Sequence, residues 1–189
     1  MRRTVIVSTL AAALIGAAAI TLPQLGLAAG EPMVGGAPMY PTKNIIENAV
    51  NSKDHTTLVA AVKAAGLVDT LSSPGPFMVF APTNEAFAML PKGTVDNLLK
   101  PENKEKLKKI LTSHVVGKAV LSDAINKMVA DDKGAHPVKT LSGAMLIAKN
   151  DNGKLTLIDE NGGVATVTIA DVKQSNGVIH VIDHVLLPK

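Results

Sequence analysis

Two histidines four residues apart stand near the end of the chain, in NGVIHVIDHVLLPK, Asn176 to Lys189. On a helix, His180 and His184 would share one face and could both reach a zinc ion. The residues around them predict a strand instead. Val178, Ile179, Val181, Ile182 and Val185 are β-branched, Leu186 and Leu187 follow, and Gly177 and Pro188 bracket the run. In a strand the two Cα atoms stand roughly 13 Å apart. One ion with ligands near 2 Å cannot bridge that span, so no metal is expected at the pair.

The other reactive-looking groups have simpler readings. Asp183 beside His184 suggests part of a triad, but adjacent strand residues face opposite ways and no Gly-x-Ser-x-Gly elbow is present. Thr83, Asn84 and Glu85 fit a helix cap followed by a favourable first-turn acid. His114 lies among apolar neighbours and is expected as a hydrogen-bonded core histidine. His180 could likewise close a hydrogen bond within the fold. His55, His136 and His184 are expected at the surface. There is no phosphate loop, His-Glu-x-x-His or Cys/His cluster. No catalytic residue, metal or cofactor is assigned, and an enzyme is not expected.

The elements that position these residues begin after an export signal. Met1-Arg2-Arg3 is a positive start, Val5 to Ile20 is an almost unbroken apolar run, and small residues follow in GLAAG, Gly26 to Gly30. This order predicts a signal peptide over 1–29, cut near Ala28 or Ala29. An uncleaved anchor is the other reading, and the small-residue exit favours cleavage. No other run approaches spanning length, so no stable membrane span is expected in the mature chain, which is expected to be secreted or periplasmic. Residues 30–42, rich in Pro and Gly, predict a flexible leader. A single domain is expected over 43–189.

Within it, NIIENAV after Thr42, then HTTLVAAVKAAGLVDTL with a stop at Gly66, carry helical spacing. PFMVF, Pro76 to Phe80, predicts a buried strand. Short helices follow over APTNEAFAML, Gly93 to Leu99, and PENKEKLKKILTSH. From Val115 the runs become β-prone, and KNDNGK and DENGG are Asn-Gly hairpin signals. Helices first and strands second predict an α+β domain with a largely antiparallel sheet.

Composition narrows the function. Arg2 and Arg3 are the only arginines; removing them from the 19 basic residues leaves 17 Lys against 16 acids. A near-neutral chain without Arg in its mature part is poorly equipped for bidentate phosphate contacts, and nucleic acid is not an expected partner. With no Trp, one Tyr and three Phe, stacking platforms for bases or sugars are missing. With no Cys there is neither disulfide nor thiol nucleophile, so stability rests on an aliphatic core.

Three stretches taken together resemble a known family. SSPGPFMVFAPTNEAFAMLP (Ser72 to Pro91), LTSHVV (Leu111 to Val116) and SNGVIHVIDHVLLP (Ser175 to Pro188) are similar, in order and separation, to the two homology boxes and the short Tyr-His element of fasciclin domains. Ser113 stands where that element usually has Tyr. The resemblance implies a β-sandwich or wedge core of mainly antiparallel strands flanked by several helices. It also implies an extracellular or periplasmic adhesion module, expected as a monomer, whose partner is an unidentified cell-surface protein or polysaccharide. In animal members an Asp-Ile dipeptide before the second box is linked to integrin binding; the matching position here is Asp171-Val172, in IADVKQSNGV. The expected binding residues are Asp171 and Val172, from this resemblance, and His114 and His180, from the alternative function class that follows. A second function class is an extracytoplasmic binding protein for a small apolar ligand or haem, with Met side chains in the cleft and His114 or His180 as axial ligand.

Overall fold

The computed structural model describes residues 31–189; the expected signal peptide lies outside the described residues. Residues 30–42, expected as a flexible leader, are corrected from Glu31 on. Strands β1 (Met33–Val34) and β2 (Ala37–Pro38) form an antiparallel hairpin. Val34 and Met39 are buried, and the Lys53 N–H donates to the Gly35 carbonyl at 3.1 Å. Asn48 fixes the exit from the hairpin, accepting from the Tyr40 N–H at 3.0 Å and donating to the Tyr40 carbonyl at 2.8 Å. Pro and Gly shape a turn here, while two apolar side chains anchor it.

Helices then accumulate: α1 (Ile45–Ala49), α2 (Thr56–Ala65) and α3 (Val68–Ser72). Asn44, two positions beyond Thr42, starts α1 with a reciprocal capping box to Glu47, at 2.9 and 2.8 Å. Gly66 ends α2 in the left-handed conformation, as expected. Strand β3 (Phe77–Pro82) leads into α4 (Asn84–Ala88), capped by the Thr83 hydroxyl. Next come α5 (Thr94–Leu98), α6 (Lys104–Thr112) and the short β4 (Val115–Val116). Helix α7 (Ser122–Asp131) stands in the half that reads as strand-rich; Ile125, Met128 and Val129 lie at helical spacing within it. The remaining strands are β5 (His136–Lys139), β6 (Met145–Asp151), β7 (Lys154–Ile158), β8 (Val164–Gln174) and β9 (Gly177–Ile182).

The fold is α+β. Seven strands form one mixed sheet in the order β4-β3-β9-β8-β7-β6-β5, antiparallel except for the β3–β9 pair. That pair lies between the two apolar clusters and feeds both, because side chains alternate along each strand. Val79, Ala81, Ile179 and Val181 join the cluster under helices α1 to α6. Met78, Phe80 and Ile182 join the second cluster, with Ile125 and Val129 of α7 and Leu146, Leu157 and Ala165 of the β6–β8 meander. Where the pair begins, the backbones touch. A Cβ on Gly177 would lie 2.0 Å from the Phe77 carbonyl oxygen, and one on Gly75 would lie 2.0 Å from that of Asn176. Only glycine fits either position.

Strand β9 stops at Ile182 rather than running to Leu187. Beyond it Asp183 to Pro188 stay half or fully buried; the Asp183 N–H still donates to the Thr166 carbonyl of β8 at 3.2 Å, and further on side chains hold the backbone. The Leu186 N–H donates to His114 and the Leu187 N–H to Asp159. Among the described residues, no helix is long and apolar enough to cross a membrane.

Candidate site around Asp171 and His180

Strand β8 carries the sequence VATVTIADVKQ and is irregular in its middle, with register shifts between Val167 and Ile169 and between Ile169 and Val172. Asp171 sits in this bulge at φ 60°, a conformation that Asp tolerates better than most residues. The bulge aims its carboxylate at the start of α7. One oxygen accepts from the Ser122 N–H at 2.7 Å and the other from the Ser122 hydroxyl. Leu121, at the N-cap position, has no side-chain acceptor, so a residue 49 positions away supplies the cap. The negative charge also meets the positive end of the helix dipole. Asp171→Ala is expected to cost about 1–2 kcal/mol, and Asp171→Asn clearly less, because the amide oxygen can still accept. Urea midpoints of the two variants check this.

Asp171 also meets His180. Its N–H donates to His180 Nδ1 at 3.3 Å, and His180 Nε2–H donates to the Val120 carbonyl at 3.0 Å. His180 is fully buried and stacks on its β3 partner Phe80, with centroids 5.8 Å apart. Burial pushes its pKa down against the pull of the Val120 carbonyl and the Asp171 charge. Both ring nitrogens are spent on backbone, leaving neither lone pair open to a metal. His180, Asp171 and Phe80 thus hold the β4–α7 connection and the first turn of α7 against the central pair. Val172 is next in the chain and fully buried, paired with Ile179 and pointing into the helical cluster.

His114 lies elsewhere. It follows α6, where its Nδ1–H donates to the Ile110 carbonyl at 2.8 Å and its Nε2 accepts from the Leu186 N–H at 2.9 Å. It is therefore the opposite tautomer to His180, fixed by the opposite pattern of partners. Complete burial pushes its pKa to about 4, against the raising effects of the Ile110 carbonyl and Asp159. Ser113, in the place of the usual Tyr, is buried. Its hydroxyl donates to the Lys109 carbonyl at 2.8 Å and lies 2.8 Å from the Ser142 hydroxyl, tying α6 to the β5–β6 turn.

Two expectations about surface groups need correction. His55 is buried, not exposed: its Nδ1 lies 2.9 Å from the Ser52 hydroxyl, while Nε2 has no hydrogen-bond partner among the described residues. The folded hairpin and α1 close over it, which no local pattern announces. Asp183 and His184 do meet, at 2.8 Å, because the strand has already ended. Burial pushes the Asp183 carboxyl up, but the hydrogen bonds from His184 and from the Thr166 N–H leave it below its ordinary value. His136 and His184 are half-buried, each beside an aspartate.

Asn176 is a structural hub absent from the expected set. Its Oδ1 accepts from the Ile45 N–H at 3.0 Å, and its Nδ2 donates to the carbonyls of Leu71 and Ser73 at 2.8 and 2.9 Å. The Asn-Gly pair of SNGV was its only local signal, and that signal reads as a turn.

Comparison with known proteins agrees with this architecture. The family model for the Fasciclin domain matches residues 53–188. Protein sll1483 of Synechocystis sp. (strain ATCC 27184 / PCC 6803 / Kazusa) is 47% identical over 177 residues, covering 86% of this chain and 91% of that protein. The transforming growth factor-beta-induced protein ig-h3 of Sus scrofa is 39% identical over 131 residues, or 69% of this chain but 17% of that much longer protein. Among solved structures, a FAS1 domain pair from the insect cell adhesion molecule fasciclin I superposes with a TM-score of 0.68 at 20% identity. The match covers 77% of this chain and 51% of that one.

Proposed function

We propose that this chain, which belongs to the fasciclin domain family, is an exported interaction module that mediates contacts at the cell surface. The observation that carries the reading is where the reactive side chains go. His114, His180, Asp171 and Thr83 each hold backbone groups of the fold, so what the molecule offers to its surroundings is a shaped surface. The name of fasciclin I, an insect cell adhesion molecule sharing the fold, supports the same direction. The N-terminal sequence supports export to the periplasm or beyond. The partner in this reading is a cell-surface protein or polysaccharide.

Asp171 and Val172 serve this function indirectly. Val172 has no exposed surface, and both Asp171 oxygens accept from Ser122, so a receptor meets what they position rather than the dipeptide itself. Exposed Leu121, next to the capped serine, belongs to that face. Haem ligation is disfavoured, because an iron at His114 or His180 would have to displace a backbone hydrogen bond.

Beads coated with the mature protein should bind cells of the producing strain saturably, with free protein competing. Binding no greater than that of beads coated with an unrelated protein of similar charge would overturn the adhesive reading.

A further inference from the structure

The two edge strands of the sheet come together at one end. The Leu141 N–H, just after β5, donates to the Val115 carbonyl of β4 at 2.7 Å, and the sheet almost closes there. Away from this junction the edges separate, and α7 crosses the gap. The result is a groove of about 460 Å³, within the range of small-ligand sites. Its apolar lining comes from Met78, Val116, Val120, Ile125, Met128 and Val138.

The groove has two unlike ends. Gly117 and Leu141 approach closely at the junction, and Lys118 and Lys139 stand one and two residues from that contact. Both lysines line the groove and are exposed, and neither has a carboxylate within 4.0 Å among the described residues. At the other end His136 is already paired with Asp132, at 2.6 Å, beside Pro137 and the half-buried Met128. Positive charge is thus concentrated at one end of an apolar channel. An extended peptide fits less well, since Pro137 interrupts the free edge of β5 and has no N–H to offer.

We propose that this groove binds a single-chain anionic amphiphile, a medium-chain fatty acid. Its carboxylate lies at Lys118 and Lys139 and its tail runs over Val116, Ile125 and Val138 to Met128. Methionines at the floor and the tail end adjust to a flexible chain. The wall is preorganised by the groups already described: His180 holds the Val120 carbonyl and Asp171 caps α7, so neither the connection nor the helix has to be ordered on binding. This inference goes beyond adhesion and does not depend on it.

Native mass spectrometry and calorimetric titration with dodecanoate test it. One equivalent should bind saturably, and the cationic dodecyltrimethylammonium should bind far less. The double variant Lys118→Glu/Lys139→Glu, confined to exposed positions, should lose affinity by about tenfold or more while retaining the wild-type melting temperature. Met128→Glu should abolish binding, and if it fails to fold, the lysine variant carries the test. Absence of a saturable dodecanoate complex, or equal affinity in the wild-type protein and the lysine variant, would overturn the proposal. Beads carrying the lysine variant read adhesion separately, so failure of the groove and failure of the adhesive reading are distinguishable.

Discussion

Replacing His180 with leucine is expected to cost about 3–5 kcal/mol, a large share of the 5–15 kcal/mol typical of a single domain. Leucine fills a similar volume, so the loss is not mainly one of packing. It leaves the Asp171 N–H and the Val120 carbonyl without their partners in a water-poor site, and it removes the stack on Phe80. Each abandoned buried group costs about 1–3 kcal/mol. The damage should also spread. With the β4–α7 connection released, amide exchange should rise over Val120 to Ile125 before it rises in β6 or β7. A variant whose urea midpoint moves little, with protection unchanged in that segment, would show that His180 is not the anchor described.

Acid is the second large perturbation. His114 in the folded protein titrates near 4, against 6.5 for an unperturbed histidine. Above about pH 6.5 neither the folded nor the unfolded chain carries that proton, so the group adds no pH dependence. As the pH falls from about 6.5 to about 4, the unfolded chain takes up the proton and the folded chain does not, so stability declines. Below about pH 4 both states are protonated and this contribution levels off, after a total loss of about 3 kcal/mol. The structural reason is direct: a proton on Nε2 would point at the Leu186 N–H. Burial lowers His55 and His180 as well, and both steepen the decline in the same direction. Urea unfolding across this window checks the sign. In His114→Gln, which cannot titrate, the slope should flatten by the share of that one group.

Much of this was legible wherever local pattern and local structure coincide. The β-prone run between the hairpin signals KNDNGK and DENGG is a strand, Lys154–Ile158, because turn residues mark both of its ends and its side chains alternate. Thr83 and Asn84 both read as possible caps of the helix that follows, and Thr83 is the one used. The hairpin at Met33 is not legible locally, because its Pro and Gly signal a loop, whereas Val34 and Met39 drive it onto the body. The sequence around β9 predicts a longer strand because apolar character persists through Leu187, yet burial there is achieved without pairing. Family resemblance points to Asp171 but not to its role: the capped serine is 49 residues distant, and only the bulge brings them together. His55 shows the same limit, since its burial depends on which elements close over it.

The parallel pair at the centre of the sheet has a consequence for the order of events in time. Phe77 to Pro82 faces Gly177 to Ile182, so every rung joins residues about one hundred positions apart. Closing so long a loop is entropically costly before any contact compensates, and chains dominated by such contacts fold slowly. The helices before β3 can flicker into place early, but both clusters remain open until the final strand has been synthesised and inserted. A nascent chain therefore stays without either core until β9 has emerged and paired with β3. If the chain is exported as proposed above, that delay would leave it unfolded, and so able to be threaded, while it crosses a membrane.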